Sequence, residues 1–289
     1  MTITLKLLLI VGAMIVLLIA VAVFAPVSLL NALTPASTFT LTSNVVYEPT
    51  TQLKLDIYRP KNAQPTNPVI VFFYGGSWNR GSRGDYRFAA AALTARGFVV
   101  VIPDYRLYPQ VRYPQFLEDC ATAVAWTKHS IAEYGGDAQR IYLLGHSAGA
   151  YNAAMLALDP RWLNQVGLAP SDLKGWAGLA GPYHFLPSNN PDVQPVFMHP
   201  NYPPNAQPIE HVREATLPAF IGAAGTDNLV DPQQNSGELA RALQARAIPT
   251  SLKFYPGVNH LTLMGAFAWP LRGLAPVLDD VVNYFQQIP

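Results

Sequence analysis

The chain has 289 residues, 13% of them charged, with a formal net charge of +1. No basic run is present, so neither composition nor charge pattern suits a nucleic-acid partner. The single cysteine, Cys120, excludes an internal disulfide, and its place in an amphipathic helix pattern reads as a small buried residue.

From Leu7 to Phe24 every residue is apolar or glycine ("LLLIVGAMIVLLIAVAVF"), about the length a helix needs to span a bilayer. Lys6 precedes the run, and no Lys or Arg follows it until Lys54. The reading is an N-terminal signal anchor over residues 1–28, with the membrane as a partner and the main domain on the extracytoplasmic side. Secretion after signal cleavage is the alternative. "NALTPAS" belongs to a linker over 29–38. The remainder, 39–289, is of a size one α/β domain can reach.

In that remainder "LKLDIY" alternates Leu53, Leu55 and Ile57 on one face, a half-buried strand. "PVIVFF" and "FVVVIP" are short β-branched apolar runs that read as strands buried on both faces. Between them "YRFAAAALTARG" reads as a helix closed by Gly97. A longer helix pattern runs from about Pro114 to Tyr134. Then "RIYLLG" is a strand and "AGAYNAAMLAL" a helix. "GWAGLAG" and "PAFIGAAG" are weaker strands, and "SLKFYP" is a clearer one. "SGELARALQAR" and "PVLDDVVNYFQQI" are helices. Strands alternating with helices predict a mainly parallel sheet covered on both faces, with its site at the carboxyl ends of the strands. The segment 182–213 is rich in proline and falls between strands. It reads either as a cap whose Tyr183, Phe185, Phe197 and Tyr202 line a pocket or as a surface loop.

Gly145-His146-Ser147-Ala148-Gly149 stands where a strand turns straight into a helix, the context of a nucleophile elbow. Ser147 would be held exposed in a strained turn, with a helix N-terminus behind it favouring negative charge. A serine hydroxyl needs a base. Of the six histidines, only His260 follows the last strand in a loop at its carboxyl end. The acid lies between Ser147 and His260, among Asp159, Asp172, Asp192, Glu210, Glu214, Asp227, Asp231 and Glu238. Asp227 alone directly follows an apolar strand. Asp231, the second choice, also suits the cap of the next helix. An acyl-transfer site further needs backbone N–H groups for an oxyanion, from Ala148 and from the loop after an earlier strand. "YGGSW" is that loop, and its Trp78 reads as packing.

The chain resembles the BD-FAE-like and hormone-sensitive-lipase-like branch of the α/β-hydrolases, which includes carboxylesterases, acetylesterases and kynurenine formamidases. The resemblance rests on "YGGSWNRG", "PDYRLYPQVRYPQFLEDC", "YGGDAQRIYLLGHSAGA", "GTDNLVDP" and "GVNH", in the family's order from about residue 45 to the end. It implies an α/β-hydrolase fold and a triad of Ser147, Asp227 and His260. It also implies oxyanion donors from Gly76, Ser77 and Ala148, with Asp104, Tyr105, Arg106, Glu118 and Asp119 bracing the site. Two departures stand out. Tyr74 replaces the histidine that usually opens the loop, and His184 stands where relatives often carry Asp. The function expected is hydrolysis of small-molecule carboxylic esters through an acyl-enzyme, with no cofactor and no metal. Hydrolysis of N-formyl groups and a catalytically silent, membrane-tethered binding protein are the alternatives. Oligomeric state is left open.

Overall fold

The computed structural model describes residues 25–288. Eight strands form one sheet: β1 (Phe39–Glu48), β2 (Leu53–Pro60), β3 (Asn67–Phe73), β4 (Val99–Pro103), β5 (Gly136–His146), β6 (Gly175–Leu179), β7 (Ala219–Ala224) and β8 (Thr250–Tyr255). Their spatial order is β1-β2-β4-β3-β5-β6-β7-β8. From β4 to β8 every pairing is parallel, while β1 with β2 and β2 with β4 are antiparallel. The helices are α1 (Pro26–Ala32), α2 (Arg87–Thr94), α3 (Gln115–Ser130), α4 (Ala148–Leu158), α5 (Pro160–Asn164), α6 (Glu238–Ala245), α7 (His260–Gly265) and α8 (Val277–Gln287).

The central strands are apolar because both faces are covered. All five residues of β4 and all six of β7 are buried. Helices α2 and α8 meet on one face; α3 and α4 pack together on the other. The β2 reading needs adjustment. Its second face is also covered, burying Asp56 and Tyr58, and Asp56 is tolerated there because Arg83 Nε lies 2.9 Å from its carboxylate.

The sequence reading built a spanning helix into the fold class, made the membrane a partner and anchored the domain on the extracytoplasmic side. The apolar run 7–24 behind it lies outside the described residues. Among the described residues no helix is long and apolar enough to cross a membrane, which corrects the fold class, the membrane partnership and the location together. The described end of that span is a separate element. Proline stands at the start of α1, where its missing N–H is no loss, and the helix is seven residues long. At about 1.5 Å per residue that is roughly a third of a bilayer core. It is seated on the domain through Asn31, whose side-chain N–H groups donate to Gly84 O at 2.9 Å and Asp85 O at 3.2 Å. The Asn31 Oδ1 accepts from Phe88 N at 3.1 Å.

Candidate active site

The carboxyl ends of β3, β5, β7 and β8 converge, and each delivers one part of the site. At the end of β5, Ser147 takes φ 55° and ψ −122° and leads directly into α4. The turn is pinned by Ser147 N donating to Leu179 O at 2.8 Å. The glycine two residues on is enforced by contact: a Cβ on Gly149 would lie 2.0 Å from Phe73 O. The small residues of the elbow thus let α4 cross the end of β3 at backbone distance.

After β8, the turn places His260 at the first position of α7. Asn259 caps that helix, its Oδ1 accepting from Leu261 N at 3.1 Å and Thr262 N at 2.9 Å. His260 Nε2 lies 2.8 Å from Ser147 Oγ, and its Nδ1 lies 2.7 Å from Asp227 Oδ2. Asp227 follows β7, and its other oxygen accepts from Leu229 N at 2.9 Å and Val230 N at 3.0 Å. Burial works against the Asp227 charge. The hydrogen bond and charge of His260, with the amides of Val230 and Leu229, outweigh it and hold the carboxyl below its usual range. The two loops are tied together by Thr226, whose N–H and Oγ1–H both donate to Val258 O, at 3.2 and 3.0 Å.

The structure therefore brings Ser147, His260 and Asp227 into one hydrogen-bonded line. Other candidates are engaged elsewhere. Asp231 accepts from Gln233 N at 2.8 Å and Gln234 N at 2.9 Å, a turn at the helix start. Asp192 pairs with Arg80, Asp159 with Arg161, and His184 with Glu238. His184 is thereby held against α6, with its N–H donating to Asn235 Oδ1 at 2.9 Å.

Gly76, Ser77 and Ala148 line the same cavity as Ser147 and His260. The loop reaches it through successive positive φ angles, 131° at Gly76, 51° at Ser77 and 56° at Trp78. A Cβ on Gly76 would meet Arg80 O at 2.2 Å, so only glycine fits the first of these positions. Trp78 packs inward, donating from Nε1 to Asn152 Oδ1 at 3.0 Å, with its ring against Tyr151, Phe116, Phe185 and Phe197.

Tyr74 is buried and stacked on Tyr105, with ring centroids 4.5 Å apart. Its carbonyl accepts from the Tyr105 hydroxyl at 2.7 Å, and its own hydroxyl accepts from Tyr105 N at 3.4 Å. The tyrosine thus braces the loop from below. Arg106 forks onto Asp119, with Nε 2.9 Å from Oδ2 and an Nη 2.7 Å from Oδ1. The Arg106 N–H donates to the same carboxylate at 2.9 Å. Asp104 accepts from Arg83 N at 3.1 Å. Glu118 does not join these braces through its carboxylate; its carbonyl accepts from Thr122 Oγ1 at 2.9 Å within α3.

The cavity has a volume of about 1020 Å³. One wall comes from α1 (Pro26, Val27 and Leu30); Phe185 and Pro187 of the 182–213 segment also line it. Three residues of the site were not singled out for it by the sequence. The Asn259 cap was legible in the asparagine just before the His260 helix. Tyr86 and His146, which line the cavity and bond to each other, to Gly75 and to the carbonyl of His260, left no signal in spacing, because these partners lie 11 to 114 residues apart.

A family model described as BD-FAE matches residues 55–165. The chain is 29% identical over 272 residues to the probable isoprenylcysteine alpha-carbonyl methylesterase ICMEL1 of Arabidopsis thaliana, covering 83% of this chain and 55% of the relative. It is 29% identical over 229 residues to Esterase LipC of Mycobacterium tuberculosis, covering 71% of this chain and 56% of the relative. The chain thus spans little more than half the length of these curated relatives. Among solved structures, esterase 2 of Thermogutta terrifontis aligns with a TM-score of 0.69 at 23% identity, over 86% of this chain and 92% of that one. Esterase B of Lactobacillus rhamnosis aligns with a TM-score of 0.75 at 18% identity, over 91% of this chain and 92% of that one. This sheet order, the elbow after β5 and the likeness to these solved structures give the chain an α/β-hydrolase fold, within which residues 55–165 match the BD-FAE family.

Proposed function

We propose that the chain is a serine hydrolase acting on small-molecule carboxylic esters. One observation carries the reading: Ser147 Oγ, His260 and Asp227 form a continuous hydrogen-bonded line at 2.8 and 2.7 Å, open to a cavity of about 1020 Å³. The esterase names of the relatives support it.

In this mechanism His260 Nε2 takes the proton of Ser147 Oγ as the oxygen attacks the ester carbonyl. Asp227 fixes the imidazole with Nδ1 protonated and offsets the imidazolium charge. The amides of Gly76, Ser77 and Ala148 receive the oxyanion, and the start of α4 adds a favourable dipole. His260 then hands its proton to the departing alkoxide, leaving an acyl-Ser147. Water, deprotonated by the same histidine, attacks the acyl carbonyl and releases the acid. The segment 182–213 serves as a cap over the acyl or alcohol side. Tyr74, the departure from the histidine that usually opens this loop, supports the reading because it braces the loop.

The test is hydrolysis of p-nitrophenyl acetate by wild type and Ser147→Ala. Wild type turns over, and the variant falls by roughly 10³-fold or more while keeping its folded circular-dichroism spectrum. Equal turnover by both proteins would remove the mechanism.

A further inference from the structure

Behind the hydrogen-bonded line lies a second one that the reaction does not use. The Gly75 N–H donates to the Tyr86 hydroxyl oxygen at 3.1 Å. The Tyr86 hydroxyl lies 3.1 Å from His146 Nδ1, and His146 Nε2 lies 3.1 Å from the carbonyl of His260. A carbonyl only accepts, so Nε2 carries the proton of the neutral ring and Nδ1 is the acceptor. Tyr86 then donates to Nδ1 while accepting from Gly75. Each group gives one bond and takes one, in a single direction from the oxyanion loop, through the elbow, to the base.

The line runs along the wall of the same cavity, and its histidine end is buried. His146 is 4% exposed, and its ring centroid lies 5.1 Å from that of His260. The contact at its other end is equally close: a Cβ on Gly75 would lie 2.9 Å from both His146 O and Ser147 Cβ. Burial pushes the Tyr86 hydroxyl up to about 12, keeping it a neutral donor. Burial and the neighbouring His260 push His146 down to about 3, keeping its Nδ1 free to accept.

We propose that Tyr86 and His146 are positioning residues that tie the Gly75–Ser77 loop to the Ser147 turn and to His260, so that oxyanion donors, nucleophile and base keep one mutual geometry. The tether rests on the esterase reading for its consequence in turnover, not for its own bonds. The loop of β3 and the loop of β8 belong to strands separated in the sheet by β5, β6 and β7. Thr226 and Asp227 tie the β8 loop to the β7 loop, and Tyr105 braces the β3 loop, but these bonds do not join the β3 loop to the β8 loop. A misplacement of about 1 Å at such a site costs on the order of 10²-fold in rate.

The test uses Tyr86→Phe, His146→Ala, His146→Gln and the double variant Tyr86→Phe/His146→Ala. Three quantities are read: kcat per titrated active site with a p-nitrophenyl ester, KM, and the rate at which a fluorophosphonate labels Ser147. The labelling rate examines the tether even where ester turnover fails, so the two readings fail separately. Tyr86→Phe is expected to lose about 10-fold and His146→Ala about 10²-fold in kcat and in labelling rate, with KM within roughly twofold. His146→Gln, which retains a donor and an acceptor, recovers most of the loss. The double variant is no worse than His146→Ala, because both break one line. The tether is overturned if kcat and labelling per titrated site stay at the wild-type level while only the melting temperature falls. Losses that multiply in the double variant overturn it equally.

Discussion

At φ 55° and ψ −122°, Ser147 holds a conformation few side chains adopt, and the surrounding bonds keep it there. The residue beside it carries its own consequence. An unfolded His146 takes up a proton as pH falls through its ordinary value of 6.5, whereas the folded one waits until about 3. Across that interval the unfolded chain holds more protons. Stability from this residue is therefore full above about 6.5 and is lost progressively as pH drops toward 3. Urea unfolding at pH 7 and pH 4.5 should show wild type losing more stability on acidification than His146→Gln. Parallel losses in the two proteins would contradict the burial-driven shift. At this scale the sequence pointed to Ser147, Asp227 and His260 because each lies at or just beyond the carboxyl end of a strand. It could not expose Tyr86 as a partner of His146, since no periodicity links residues that meet only through the tertiary fold.

Elements decide how closely those residues approach. Helix α4 crosses the end of β3 at Gly149, so Gly149→Ala must push α4 away from Phe73 O, only 2.0 Å from the added carbon. A cost on the order of 3 kcal/mol is expected by thermal or urea unfolding. A variant of wild-type stability would mean that the crossing is looser than described. Helix α1 is the other informative element. Its residues Pro26 and Val27 fall at the tail of the anchor reading and Leu30 in the linker, yet together they form a wall of the cavity. A proline that starts a helix also interrupts the apolar run before it, and that punctuation was the available signal. Removing the three bonds of Asn31 with Asn31→Ala frees this wall from Gly84, Asp85 and Phe88. The expected result is a several-fold change in the relative kcat/KM for butyrate and octanoate p-nitrophenyl esters, with acetate hydrolysis within about twofold. An unchanged chain-length profile would exclude α1 from substrate contact. Strand β1 escaped the sequence reading for a related reason. It is an edge strand with only two of its ten residues buried, so its apolar positions follow no clean alternation.

At the scale of the molecule, the alternation of strands and helices was enough to predict a parallel sheet with a site at its carboxyl edge. The sheet delivers four separate chain segments to one cavity, from β3, β5, β7 and β8. The membrane-spanning element is absent among the described residues, and the hydrolase reading does not depend on it. The central claim is that Ser147, activated through His260 and Asp227, is the nucleophile. Intact-protein mass spectrometry after treatment with a fluorophosphonate tests it directly. The account predicts a single covalent adduct, mapped to Ser147 by peptide sequencing and missing from Ser147→Ala. Absence of an adduct on the folded wild type, or an adduct of equal yield on Ser147→Ala, would contradict it.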